Sequence, residues 1–380
     1  MAGKKALKQK TKSSKGKIDI TFLSILLILL TIGLVMLFSA SYAYSLEYYD
    51  NSYKFISRQA LLAGIGVVAM LGISLIDYHF WRKFAWLIYG LSIALLGFLL
   101  VVPPMVSGMD VKRWFAIGSF SFQPSEIAKF AIVILFSSII AANYKQIKSF
   151  SFVAIMLGIL ALPCVLILLE PHLSATILVC CIGLVLLIVG GLQKRYIFGG
   201  IGVGILGVLA IIFSGTIGYG SDRIAYWLDP WADAKGLGFQ TIQSLLAIGS
   251  GGILGRGIGQ SRQKYLWVPE PHNDFIFSIV CEELGLIGAM VIILLFALLV
   301  WRGFTIAMNA PDKFGSLMAI GLTFQVGLQA MLNIWVVTNT IPNTGISLPF
   351  FSYGGTSLLI LLAQMGIVLS ISRQSNMEKT

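Results

Sequence analysis

Long apolar runs separated by short polar segments dominate the chain. A helix needs about 20 apolar residues to cross a bilayer. Ten runs reach or approach that length: 20–41, 56–76, 84–102, 124–142, 151–169, 172–190, 197–214, 274–300, 315–338 and 349–371. The first is too long for a cleaved signal peptide, and no small-residue cleavage site stands out behind it. The pattern predicts an all-α polytopic membrane protein with about ten transmembrane helices and both termini cytoplasmic. Residues 215–273, between helices 7 and 8, are expected to form a large extracellular loop, far longer than the usual connection. Within it, 242–254 is apolar, broken by glycine and too short to span, so it reads as re-entrant or interfacial. The organisation is a basic cytoplasmic tail (1–18), a single transmembrane domain (19–371) and a cytoplasmic C-terminal tail (372–380). No internal repeat is obvious, which does not favour an inverted-repeat transporter.

Composition sharpens this. Of the 380 residues, 57% are hydrophobic and 11% charged, where a soluble domain has about 25% charged. That excludes a cytosolic enzyme, a nucleic-acid module and a disordered chain. Orientation follows from Lys and Arg in the short loops. With the N-terminus inside, seventeen of the 27 basic residues fall in cytoplasmic segments. The net charge of +11 therefore reports topology and contact with a membrane, with no nucleic-acid partner. The basic tail sets topology and touches anionic lipid, or docks a partner. Four cysteines inside apolar runs read as reduced filler, and three scattered histidines are too few for a zinc site, so no metal ligands are assigned.

Three segments rise above scaffold. Arg113 and Trp114 are followed by Gln123, Pro124, Ser125, Glu126 and Lys129. Pro124 suits the first turn of a helix. Glu126 and Lys129 share one helix face, as a structural ion pair or as the wall of a cavity. In the second segment, prolines 269 and 271 hold Glu270 in an extended approach, and Asp274 opens a span. Asp274 reads as a helix cap or as an activated acid. A helix N-terminus would lower its pKa and desolvation would raise it. Glu282 and Glu283 lie inside the same span, so at least one is expected to face a cavity or partner helix. The third segment, 342–356, combines glycines, prolines and hydroxyls, including Ser347 and Ser352, and suits close approach of a ligand or tight packing. Arg223, Arg256, Arg262 and Lys264 in the long loop escape the positive-inside rule and could bind an anionic headgroup such as pyrophosphate. Residues 249–255 are Gly-rich but lack the ending of a P-loop.

These segments resemble the SEDS family (shape, elongation, division and sporulation; FtsW, RodA and SpoVE). Arg113-Trp114 with QPSEIAK, RIAYWLDP with SLLAIGSGG, KYLWVPEPHNDFIF and NTGISLPFFSYGGTS match its hallmarks in order, within a resemblance running from about residue 19 to 371. The likeness is to the FtsW/SpoVE branch more than to RodA, and Lys264 to Pro269 with the basic tail lean toward FtsW.

The resemblance implies a peptidoglycan glycosyltransferase that joins lipid II into glycan strands at the outer face of the bacterial cytoplasmic membrane. The role would be septal wall synthesis in cell division, with elongation or sporulation as alternatives. It implies that Asp274 is catalytic and that Glu126 and Lys129 support the same cavity. It also implies a class B penicillin-binding protein transpeptidase and divisome proteins as partners. His172 stands where many members carry an acid, so no role is carried onto it.

The chemistry agrees: an attacking sugar hydroxyl needs a base, and a leaving pyrophosphate needs positive charge. Asp274 is the expected base. Arg113, Glu126, Lys129, Arg223, Lys264, Glu270, Ser347 and Ser352 are the expected substrate contacts, with a divalent cation (magnesium or manganese) as a possible helper on the pyrophosphate. The competing readings are a lipid II flippase, with Glu126, Lys129 and Glu282 along its path, and a non-catalytic scaffold.

Overall fold

The computed structural model describes residues 16–102, 113–117, 120–196, 226–236 and 238–375. The run at 197–214, the tail before residue 16, Lys112 and Arg223 lie outside the described residues.

Nine of the ten expected runs are helices: α1 (Ile20–Tyr49), α2 (Lys54–Ser74), α4 (Ala85–Val101), α5 (Pro124–Ala142), α6 (Phe150–Leu169), α7 (Leu173–Val189), α9 (Ile276–Met308), α10 (Lys313–Val337) and α11 (Gly355–Gln374). Seven are long and apolar enough to cross a membrane by length and composition, and α4 and α7 are shorter apolar helices. Among the described residues there are two further α-helices, α3 (His79–Lys83) and α8 (Phe239–Gly251). The all-α architecture therefore stands, with one small addition. Residues Phe115–Ile117 (β1) and Phe120–Phe122 (β2) form an antiparallel hairpin, Phe115 opposite Phe122, directly before α5.

Helix ends follow local chemistry. Asp19 caps α1 by accepting the Phe22 amide at 2.8 Å, and Arg302 Nε pairs with it at 2.9 Å. Pro124 opens α5 at a position where its missing N–H costs nothing. The central layer is α5, α10 and α11, whose apolar and small residues are largely buried. By contrast α2, α4 and α6 turn exposed leucine, isoleucine and valine outward, as lipid-facing helices do.

Three elements differ from expectation. Helix α1 has 30 residues, about 45 Å, against a hydrocarbon core of about 30 Å. It runs on from 41 to 49 because nothing in that tyrosine-rich stretch breaks a helix. The segment at 242–254 is mostly helical: α8 stands against α9 and donates Ser244 Oγ to the carbonyl of Val337 at 2.8 Å.

The third difference is a break in α9 at Gly285, whose φ is +69°. The backbone groups freed there are taken up by the stretch that follows α8. Leu286 N–H donates to Gly252 O at 2.9 Å, while Arg256 N–H donates to Glu282 O at 3.0 Å and Gly257 N–H to Glu283 O at 2.9 Å. A Cβ on Gly285 would lie 2.2 Å from the Gly255 nitrogen, so the close crossing demands glycine.

Both adjacent acids are buried at this break. Glu282 accepts from Ser261 Oγ at 2.5 Å and from Arg262 N–H at 2.9 Å. Glu283 accepts from Ser39 Oγ of α1 at 2.7 Å and pairs with Lys264 Nζ at 3.0 Å.

Candidate functional site

A cavity of roughly 500 Å³ sits where the outer ends of α1, α2, α5, α7, α9 and α11 meet the hairpin and the 342–356 segment. Asp274 lies on its wall, two residues before α9 begins. The capping reading of Asp274 does not hold. Phe275 occupies the N-cap with no side-chain capping bond, and no described residue hydrogen-bonds the Asp274 carboxylate. Burial first, and the Glu270 carboxylate second, push the Asp274 pKa up from 3.8 to about 6, while Arg113 pulls the other way. Desolvation thus wins over the helix N-terminus.

The backbone that carries Asp274 is pinned from α10. Asn333, fully buried, donates through Nδ2 to the carbonyl of Asp274 at 2.7 Å and to that of Ile346 at 2.6 Å. Gly345 has φ +69°, and a Cβ there would lie 3.3 Å from Asp274 Oδ2. Glycine therefore lets the 342–356 segment pass directly under the acid.

Also on the cavity wall, Glu126 pairs with Lys129 at 2.7 Å, and Lys129 Nζ donates to Gln329 Oε1 at 3.1 Å. Gln329 Nε2 in turn donates to the carbonyl of Ser347 at 3.1 Å and to its Oγ at 3.2 Å. The two readings of Glu126 and Lys129 merge: they are an ion pair, and the pair is cavity wall. Ser352 accepts from Leu348 N–H at 2.7 Å and donates to the carbonyl of Asn273 at 2.8 Å, closing its turn onto the acid-bearing segment.

Arg113 lines the cavity and donates to the Pro171 carbonyl. Glu270 stands at the exposed rim, with φ +45° in place of the expected extended form. A turn closed by Asn273 N–H at 3.0 Å, and by Asn273 Nδ2 on the Glu270 carboxylate at 2.8 Å, outweighs the preference before proline.

One expected contact is not brought here. Lys264 is absent from the cavity wall. The turn over 261–268 directs it into the break of α9, where Glu283 and Ser39 hold its ammonium. Arg223 lies outside the described residues. The described cations on the wall are Arg58, Arg113 and Lys129.

Sequence reasoning assigned no role to Gln123, His172, Gln329 or Asn333. His172 accepts from the Gln123 amide at 3.1 Å, and its pKa falls to about 3 through burial, then Arg113 and Lys129, which keeps the ring neutral. Gln325, Gln329 and Asn333 recur every four residues along an apolar run. That polar stripe on one helix face was a readable signal. Among the described residues no group of three or more His, Cys, Asp or Glu side chains is placed to hold a metal ion.

The family model for FtsW/RodA/SpoVE, described as "Cell cycle protein", matches residues 20–377. Stage V sporulation protein E of Bacillus subtilis (strain 168) is 42% identical over 94% of this chain and 97% of its own length. The probable peptidoglycan glycosyltransferase FtsW of Geobacter sp. (strain M18) is 38% identical over 93% and 96%. Among solved structures, a chain from work on the structural coordination of polymerization and crosslinking by a peptidoglycan synthase complex superposes with a TM-score of 0.79 at 26% identity. It covers 95% of this chain and 99% of that one. The rod shape determining protein RodA of Thermus thermophilus superposes with a TM-score of 0.69 at 26% identity, covering 94% and 98%. This multi-pass membrane protein therefore belongs to the FtsW/RodA/SpoVE family.

Proposed function

We propose that the protein is a peptidoglycan glycosyltransferase that polymerises lipid II at the outer face of the cytoplasmic membrane, with Asp274 as general base. One observation carries the reading. A carboxylate with no hydrogen-bond partner among the described residues, its pKa raised to about 6, lines a cavity whose wall also holds Lys129 and Arg113. Raising an acid toward neutrality makes it a better base while leaving it mostly ionised at pH 7. In the step, the acceptor sugar hydroxyl attacks the anomeric carbon of the donor. Its proton passes to Asp274, the new C–O bond forms, and the bond to pyrophosphate breaks. Arg113 and Lys129 offset the charge that leaves.

Asp274→Asn tests this in purified protein with lipid II. Polymer formation is expected to fall about 10²-fold or more; full activity would sink the base assignment. Translocation of lipid II in vesicles without any polymer would favour a flippase instead. Against that path, Glu282 is not on the cavity wall but tied to Ser261 and Arg262.

The proposed partner is a class B penicillin-binding transpeptidase, supported by the likeness to a chain of a peptidoglycan synthase complex. The proposed role is septal wall synthesis, with sporulation as its competitor because a sporulation protein is among the similar relatives. A tagged copy concentrated at the septum of growing cells supports the first, and one confined to the forespore the second.

A further inference from the structure

The part of α1 that runs past the membrane ends in Tyr44, Tyr48 and Tyr49, and Phe55 stands in the first turn of α2. An interfacial aromatic belt accounts for tyrosines that face lipid. It does not account for these, since Tyr44, Tyr49 and Phe55 line the cavity. Their rings form a continuous path outward from the catalytic segment. His272, two residues before Asp274, has its ring centroid 4.3 Å from that of Phe55 and 4.9 Å from that of Tyr44. Tyr44 then lies 4.5 Å from Tyr48, and Phe55 lies 5.8 Å from Tyr49. The path ends in the open, where Tyr48 is 61% and Tyr49 46% exposed.

Apolar ring faces edged by hydroxyls suit a ligand that is itself apolar on its faces and hydroxylated at its edges, which is a pyranose sugar. A pyrophosphate has a better place across the cavity, beside Lys129 and Arg113. On the aromatic side the cations face the rings themselves. Lys54 lies 3.0 Å over the Tyr49 ring, and Arg58 hydrogen-bonds Tyr353. Glu270 at the rim would repel an anion. The two walls therefore sort the two ends of a lipid-linked sugar reaction.

We infer that the ring path from His272 over Tyr44 and Phe55 to Tyr49 is a saccharide subsite that holds the growing glycan strand as it leaves Asp274. Its direction rests on the glycosyltransferase reading; its affinity for sugar does not. The strand would exit over the end of α1, clear of the membrane, and be kept in place between additions.

The test uses the full chain in detergent micelles and a soluble β-1,4-linked N-acetylglucosamine tetramer as probe. The unaltered protein is expected to bind it, and Tyr44→Ala with Tyr49→Ala to weaken binding about tenfold or more. Tyr49→Phe should keep the affinity, because the ring face and not the hydroxyl makes the contact. Asp274→Asn should keep it too, so a failure of the base assignment reads out in polymerisation alone. With lipid II, the double alanine variant should make markedly shorter strands than Tyr49→Phe. No tetramer binding by the unaltered protein, or equal binding by the double alanine variant, overturns the subsite and leaves the tyrosines as an interfacial belt.

Discussion

Replacing Asp274 by asparagine should separate activity from stability, because the same burial that tunes the acid opposes its charge. Its pKa rises from 3.8 to about 6 on folding. At about 1.36 kcal/mol per pH unit, that corresponds to about 3 kcal/mol. The sign follows from proton uptake. With the folded pKa above the unfolded one, the folded state binds more protons between the two values, so stability falls as pH rises through that window. At pH 8 the full cost of an ionised, desolvated carboxylate is present. At pH 5 about half of it remains, and below about pH 4 little is left. Asn keeps the shape without the charge. The variant should therefore be more stable than the unaltered protein by about 3 kcal/mol at pH 8 and by about 1.5 kcal/mol at pH 5. Reversible unfolding in micelles at the two pH values reads the difference, and lipid II polymerisation on the same samples reads the loss of the base. A variant no more stable at pH 8, or a gain that does not shrink toward acid, would refute the assignment of a desolvated carboxylate.

Other expectations follow from the same geometry. Arg113→Ala removes a cation that lowers the Asp274 pKa, so the acid limb of the pH–rate profile should move up; Glu270→Gln removes an anion that raises it, so the limb should move down. Limbs that both stay put would show that Asp274 does not set them. Lys264→Met strands the buried Glu283 carboxylate and should cost about 3–5 kcal/mol in unfolding assays, most of it regained by adding Glu283→Gln. A similar loss in the single and double variants would show that the pair is not the cause. Gly285→Ala places a methyl 2.2 Å from the Gly255 nitrogen at φ +69°. It should cost about 2 kcal/mol or more, measured as a lowered unfolding midpoint.

The helices were legible because lipid leaves a chain little choice: backbone groups in hydrocarbon must pair within their own segment, and runs of about 20 apolar residues announce it. The site was legible only where its residues sit in ordered motifs, which is how Asp274, Glu126 and Lys129 stood out. Lys264 shows the limit. It is a neighbour of the acidic motif in sequence, but the turn over 261–268, with Leu266 at φ +66°, sends its side chain to α1 and Glu283. That direction depends on a partner 225 residues away, and no local pattern encodes it. Asn333 fails differently. Its spacing from Gln329 was visible, but only the folded backbone reveals that one amide spans the carbonyls of Asp274 and Ile346. The hairpin before α5 is three residues per strand, too short for periodicity to register.

The break at Gly285 divides α9 into a short outer piece and a long inner piece. The outer piece is clamped to α8 and the 252–264 stretch by backbone bonds and by two buried acids. The inner piece packs against its helical neighbours and is tied to the start of α1 by the Arg302–Asp19 pair. The crossing at Gly285 is itself bonded, since Leu286 N–H and Ile287 N–H of the inner piece donate to Gly252 O and Ile253 O. Asp274 is in this sense held by α10, through Asn333, and by the turn of Ser352 onto Asn273, and not by the long inner piece of α9.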